Sequence, residues 1–146
     1  MADRAQPVAD RAQRAPRVLE REIQHGVLKA LGAREELRIW RHNVGFARDA
    51  TGRGIRFGLP GAADLQGIIR GRDPSRPLGR FLAIELKTPT GRQSPEQRAF
   101  QRMVEAMGGV YLLCRSVDDA VAGVARALAD PVTIAASGHR PPKDPA

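Results

Sequence analysis

Aromatic residues and cysteine are both scarce in this chain of 146 residues. One Trp, one Tyr and four Phe make up 4% of it, which argues against the platform of exposed rings that single-strand-binding proteins use. Cys114 is the single cysteine, so a disulfide within the chain is excluded, and its place in the apolar run 110–114 predicts a small core residue. His25 and His42 have no Cys or acidic partner at zinc-site spacing, so a histidine metal site is not expected.

Long apolar runs are also missing. The first residues alternate Ala, Arg, Asp and Gln, with no apolar stretch of signal-peptide length, and no later run approaches the length of a membrane-spanning helix. We therefore expect a cytoplasmic protein without a membrane partner.

Positive charge is abundant. The 24 basic residues exceed the 16 acidic ones, which gives a formal charge of +8 at pH 7. Such a balance favours a polyanionic partner, although a basic protein with only general counterion affinity is the alternative. The length suits one domain. We expect this domain to span residues 17–130, between a flexible arm at 1–16 and a flexible tail at 131–146.

Hydrophobic periodicity predicts a mixed α/β domain in the order α-β-β-β-α-β-α, with helices flanking a mixed sheet. Trp40 is expected to anchor the core, and residues 47–59 read as a polar loop. In the second helix, Phe100, Met103, Val104 and Met107 are expected to face inward. The predicted elements are a helix from about Arg17 to Leu31, strands at 37–42, 64–69 and 81–87, a helix capped by Ser94, a strand at 110–114 and a helix capped by Ser116 that ends before Pro131.

Two acidic residues carry the strongest chemical signal. The run 81–87 is apolar until Glu85 and Lys87, which share one face of the strand, so it reads as a buried strand with ionisable groups at its exit. Turn-forming residues at 70–79 predict a hairpin that brings Asp64 beside Glu85. Two neighbouring carboxylates suit Mg²⁺ or Mn²⁺, which prefer oxygen ligands. The bare pattern also arises by chance, and a strand ending in a solvated Glu and Lys is then the alternative.

A lysine at position 87 is unusual for this chain, which uses arginine for most of its 24 basic residues. The only lysines are Lys29, Lys87 and Lys143. Arginine keeps its proton permanently, whereas a partly desolvated lysine presents a compact charge to a phosphate or to an attacking water. A lysine at this position therefore fits a catalytic site. The alternative is that one of the three lysines occurs here by chance.

Another local pattern follows Lys87. Ser94, Pro95 at the first helical position and Gln97 three residues after the cap form a capping box, which explains Gln97 without any chemistry. A helix N-terminus aimed at a phosphate would favour the anion, so the structural and chemical roles are compatible.

These residues together resemble the VRR-NUC (virus-type replication-repair nuclease) family of the PD-(D/E)xK nuclease superfamily, over roughly Leu19 to Val124. Ala63 departs from the superfamily pattern, which has proline before its aspartate. The motifs that carry the resemblance are, in chain order, Glu20-Arg21-Glu22-Ile23-Gln24, Trp40-Arg41-His42-Asn43-Val44-Gly45, Gly61-Ala62-Ala63-Asp64-Leu65, Ile84-Glu85-Leu86-Lys87, Gly91-Arg92-Gln93-Ser94-Pro95-Glu96-Gln97 and Gly108-Gly109-Val110-Tyr111.

The resemblance implies a restriction-endonuclease-like core and a Mg²⁺- or Mn²⁺-dependent deoxyribonuclease. It implies an ion held by Asp64, Glu85 and the backbone carbonyl of Leu86, with Lys87 positioning water or neutralising charge. It also implies a homodimer. An acidic residue of the first helix would join the site, which we map onto Glu20, although Glu22 leaves that assignment open. The full set of expected catalytic residues is Glu20, Asp64, Glu85, Lys87 and Gln97.

The function expected from the sequence is thus hydrolysis of phosphodiester bonds in phage or mobile-element DNA replication, repair or recombination, directed at duplex or branched DNA. The alternative is a DNA-binding module that keeps the nuclease scaffold without cutting. Arginine forks match phosphate oxygens, so basic residues near the site are the expected DNA contacts, with an ordinary solvated loop as the alternative for 47–59. The resemblance adds Asn43, which matches a family asparagine that could orient the backbone or the substrate. The expected DNA-binding residues are thus Arg41, Asn43, Arg48, Arg53, Arg56 and Arg92.

Overall fold

The computed structural model describes residues 19–71 and 78–130, which form a mixed α/β fold. Three helices and six strands lie in these two ranges. Their bounds are α1 Glu20–Leu31, β1 Leu37–Arg41, β2 Gly45–Arg48, β3 Gly54–Phe57, β4 Leu65–Arg70, β5 Gly79–Leu86, α2 Pro95–Ala106, β6 Val110–Cys114 and α3 Val117–Ala129.

Four of the strands form the central sheet, in the order β1-β4-β5-β6. β4 pairs antiparallel with both β1 and β5, whereas β5 and β6 run parallel. The parallel pair needs a crossover, which α2 supplies. The sheet is therefore mixed, as the sequence predicted. β4 and β5 also form the antiparallel pair that the turn-forming residues at 70–79 predicted, although positions 72–77 of that turn lie outside the described residues.

Helices cover both faces of this sheet. α1 and α3 pack together on one face, where Val27, Leu31, Leu82, Ile84 and Val124 are fully buried. α2 lies on the other face over a smaller core, whose buried members are Ala62, Ala63, Ala83, Phe100, Val104 and Tyr111. Residues 82–86 of β5 are buried on both faces, as predicted for this part of the run 81–87, whereas Phe81 at its start is exposed.

A separate two-stranded hairpin, β2–β3, stands where the sequence predicted a loop, so the predicted element order is wrong by two strands. Its turn is held by the Asp49 carboxylate, which accepts hydrogen bonds from the backbone N–H groups of Thr51 and Arg53. Gly52 takes the positive φ that this turn needs. The sequence did not predict these strands because each has only four residues. An alternation of apolar and polar residues is hard to recognise over so short a run among arginines and glycines.

The predicted core positions of Trp40, Met103 and Met107 are also wrong. Trp40 is 42% exposed and Met107 76% exposed. Trp40 lies on the α2 face of β1, but α2 packs mainly against β6 and leaves that part of the sheet uncovered. Phe100 and Val104 fill the interface of α2 with the sheet, so the two methionines face solvent. Cys114 is buried, as predicted.

The first helix begins at Glu20, three residues later than predicted, while Arg17 and the predicted arm and tail lie outside the described residues. In the described part of the chain, the longest helix has 13 residues, and no helix is long and apolar enough to span a membrane.

Gly61 lies in the turn that leads to Asp64 and packs against the start of α2. We expect Gly61→Ala to destabilise the fold more than Gly108→Ala. Both glycines have positive φ, which costs alanine about 1–2 kcal/mol. A methyl group at Gly61 would also overlap the Glu96 carbonyl group, whereas nothing lies within 4 Å of one at Gly108. The clash adds roughly 1–3 kcal/mol. Urea unfolding of both variants measures the difference, and equal losses would contradict the proposed close packing of this turn on α2.

Candidate active site

Asp64 and Glu85 are neighbours across the start of β4 and the end of β5. The antiparallel register pairs Leu65 with Ile84, so Asp64, one residue earlier, faces Glu85 on the α2 side of the sheet. The Asp64 carboxylate accepts a hydrogen bond of 2.8 Å from the Leu86 backbone N–H. The predicted convergence of the two acidic residues is therefore present.

Glu85 is the one fully buried charged residue among those that the structure describes. Its Oε1 atom lies 2.6 Å from Lys87 Nζ and accepts a hydrogen bond of 2.5 Å from the Gln97 side chain. Its Oε2 atom is buried and has no hydrogen-bond partner in the described part of the chain. One oxygen is thus held by protein donors, while the other is left with unsatisfied acceptor capacity.

Gln97 serves the helix and the site together. Its side-chain oxygen accepts from the Ser94 backbone N–H at 2.9 Å, and its own backbone N–H donates to the Ser94 hydroxyl at 3.2 Å. This capping box fixes the amide group, whose NH₂ then donates to Glu85. The capping signal in the sequence was correct, and the same side chain reaches the carboxylate.

Glu20 and Glu22 differ in what their carboxylates contact. The Glu20 carboxylate lies 3.4 Å from the Thr88 backbone N–H, next to Lys87, whereas the Glu22 carboxylate accepts from the Leu19 N–H at the start of the helix. Glu20 is exposed at the rim, at the same end of the sheet as Asp64 and Glu85. All five side chains predicted to be catalytic therefore lie at one end of the sheet.

The two central carboxylates are held in an unfavourable environment for negative charge. The pKa of Glu85 is raised to about 7, chiefly by burial and also by the charges of Asp64 and Glu20, with Lys87 acting in the opposite direction. Burial also raises the pKa of Asp64, with Glu20 adding to the rise and the Leu86 N–H and Lys87 opposing it. A cation beside these groups would relieve this repulsion.

The donor set suits a hard divalent cation, although the described residues contain no group of three His, Cys, Asp or Glu side chains close enough to hold a metal ion. Asp64 and Glu85 offer two carboxylates, and the Leu86 carbonyl is the predicted third ligand. Mg²⁺ commonly binds through one or two carboxylates and keeps several waters. The buried Oε2 of Glu85, which has no hydrogen-bond partner among the described residues, fits a carboxylate oxygen able to bind such a cation.

No protein-family model, curated protein or solved structure matches this chain. The assignment of a function therefore depends on the geometry of this site and on the motifs that the sequence analysis identified.

A cavity of about 400 Å³ adjoins Asp64 and Gln97. His42 is a wall residue that sequence reasoning did not select. Its backbone N–H donates to the Asp64 carbonyl oxygen at 2.9 Å, and its Nε2 atom is buried without a partner among the described residues. The base of the hairpin and the start of α2 close the cavity, through Val44, Pro60, Gly61, Ala62, Ser94 and Glu96.

Arg115 is a second residue that the sequence analysis missed. Its guanidinium donates to the carbonyl oxygens of Thr88, Pro89 and Gly91 and so holds the loop that follows Lys87. The sequence could have indicated this position. Arg115 directly follows β6 as Lys87 follows β5, and two adjacent parallel strands end at the same edge of the sheet.

The residues predicted to bind DNA are exposed, and three of them lie together on the hairpin and its turn. Arg53 forms an ion pair of 3.2 Å with Asp49, and Arg48 donates to the Gly52 carbonyl, so both help to hold the turn. The others lie at the end of β1 and in the loops before β2 and α2. These exposed residues are Arg41, Asn43, Arg48, Arg53, Arg56 and Arg92.

The raised pKa of Glu85 predicts a pH-dependent loss of stability. Because the folded protein binds this proton more tightly, the stabilisation is complete below the ordinary pKa of 4.5 and is lost as pH rises through about 7. In EDTA, the melting temperature of the wild type should fall by several degrees from pH 5 to pH 8 relative to Glu85→Gln, which keeps Oε1 as an acceptor. Parallel pH profiles for the two proteins would refute this.

Proposed function

We propose that this protein is a metal-dependent DNA nuclease that hydrolyses phosphodiester bonds. The observation that carries the proposal is the neighbouring carboxylates of half-buried Asp64 and fully buried Glu85, with an unpartnered Glu85 oxygen and a lysine 2.6 Å from the other oxygen. An edge strand ending in solvated charges, the simplest alternative for the motif, does not fit a glutamate with no exposed surface. The VRR-NUC resemblance belongs to this proposal.

Asp64, Glu85 and the Leu86 carbonyl would hold Mg²⁺ or Mn²⁺, and the bound ion would supply Lewis acidity and a more acidic water. Lys87 is nearly buried, so its ammonium is desolvated and placed to orient a water or to stabilise charge that develops on phosphate. Gln97 holds Glu85 in one orientation. Glu20, at the rim, adds negative charge that favours cation binding.

The partner in this proposal is duplex or branched DNA, supported by the formal charge of +8 and by the exposed arginines of the hairpin and its turn. A role in replication, repair or recombination of phage or mobile-element DNA, and the homodimer that the resemblance implies, are part of the same proposal.

The test is incubation of the protein with linear, nicked, flapped and four-way DNA in Mg²⁺, Mn²⁺ or EDTA. The proposal predicts cutting with either metal ion and none in EDTA. DNA binding without cutting under any of these conditions would instead support the non-catalytic DNA-binding module.

A further inference from the structure

The hairpin β2–β3 presents a face that combines one aromatic ring with two arginines. The register pairs Phe46 with Arg56 and Arg48 with Gly54, and directly opposed residues share a face. We call this set, Phe46, Arg48, Gly54 and Arg56, the Phe46 face. The opposite face carries Gly45, Ala47, Ile55 and Phe57.

The Phe46 ring is exposed but held in place. A Cβ atom at Gly54 would lie 2.6 Å from the end of the ring, so the ring lies across a position that only glycine leaves open. Even so, Phe46 is 58% exposed. The Arg48 guanidinium lies 5.8 Å from the ring centre, in the range of a cation–π contact. The scarcity of aromatic residues therefore does not exclude a stacking surface, contrary to the expectation from composition.

The hairpin has too little contact with the rest of the fold to be explained as a core element. Its two strands contact each other, and neither contacts another helix or strand extensively among the described residues. A lone two-stranded hairpin is marginally stable in water. Residues that flank the hairpin in the chain line the cavity beside Asp64, namely Val44, Pro60 and Gly61, so the hairpin extends from the rim of the candidate active site.

We propose that the Phe46 face binds an unpaired nucleotide, whose base stacks on the Phe46 ring while Arg48 and Arg56 bind the flanking phosphates. This inference builds on the proposed function and specifies its substrate: DNA that carries a single-stranded segment beside the cut site. Aromatic rings bind any base by stacking, and arginine forks bind phosphate. Bases inside a continuous duplex are already stacked on both faces, so only a flap, gap, junction or single strand offers a free one.

The decisive experiment compares Phe46→Leu with Phe57→Leu by fluorescence anisotropy in EDTA, with a labelled single strand, a flapped duplex and a blunt duplex. Leucine still covers the glycine but offers no aromatic face. Phe57 lies across Gly45 in the same manner on the opposite face, so it is a matched control. Phe46→Leu should weaken binding of the single strand and the flap by about 5- to 100-fold and leave the blunt duplex within about twofold. Phe57→Leu should leave all three unchanged.

Wild-type affinity of Phe46→Leu for the single strand would overturn the inference, and so would an equal loss in Phe57→Leu. Photo-crosslinking of a 5-iodouracil oligonucleotide adds a direct readout. Attachment at Phe46 supports stacking, whereas attachment only outside the hairpin contradicts it. Because binding is measured without metal, a protein that cuts DNA but binds independently of Phe46 rejects this inference alone. A protein that binds through Phe46 and never cuts rejects the nuclease proposal alone.

Discussion

Asp64→Asn is expected to lower the rate of metal-dependent DNA cleavage by more than about 100-fold, because it weakens a proposed ligand of the ion itself. Loss of a residue that only hydrogen-bonds to a metal ligand already lowers metal affinity or activity by about 10- to 100-fold. Asparagine keeps an oxygen that accepts from the Leu86 N–H, so the fold should persist. DNA affinity in EDTA should not fall, since removing negative charge does not weaken binding to a polyanion. Single-turnover cleavage with saturating protein measures the rate.

Asp130→Asn is the matched control for this variant. Asp130 is an exposed aspartate at the C-terminal end of α3, whereas α3 begins at the end of the sheet that carries the candidate site. Its cleavage rate should equal that of the wild type. If Asp64→Asn cuts DNA at the wild-type rate, Asp64 has no part in the chemistry and the proposed function is wrong.

Lys87→Arg is expected to lower the cleavage rate by about 100-fold while DNA affinity stays near that of the wild type. The Lys87 side chain is 11% exposed and lies 2.6 Å from Glu85, so a longer, planar guanidinium has no room to place its charge at the same point. The formal charge is unchanged, which separates a positioning effect in the site from general attraction to DNA.

Lys29→Arg makes the same chemical change at an exposed position in the last turn of α1 and should have no effect on cleavage. The comparison of kcat for the two variants on one flapped substrate isolates the contribution of the site. An unchanged rate in Lys87→Arg would show that any cation suffices there, and the role given to the compact ammonium would be wrong.

The sequence predicted the strands and helices that position the site because their signals are local. The buried strand β5 reads as an apolar run that ends in Glu85, and the capping box of α2 reads from Ser94 and Gln97 alone. Once a turn joins β4 to β5, the register places Asp64 opposite Glu85. The mixed sheet flanked by helices followed from these elements.

What the sequence did not reveal depends on tertiary packing. Trp40 reads as a core residue by its type, but its exposure depends on how far α2 extends over the sheet, which no local pattern encodes. The short strands β2 and β3 are set by a turn around Asp49 and lie among arginines and glycines that also suit a loop. His42 and Arg115 enter the site through their backbone or loop contacts, which become visible only when strand ends are placed side by side.

Whether Asp64 and Glu85 bind one divalent ion is tested most directly by crystals soaked in Mn²⁺ and measured for anomalous scattering. A peak between the two carboxylates in the wild type, adjacent to the free oxygen of Glu85 and lost in Asp64→Asn, is the predicted result. Crystals that show Mn²⁺ bound elsewhere on the protein and none between these carboxylates would contradict the account.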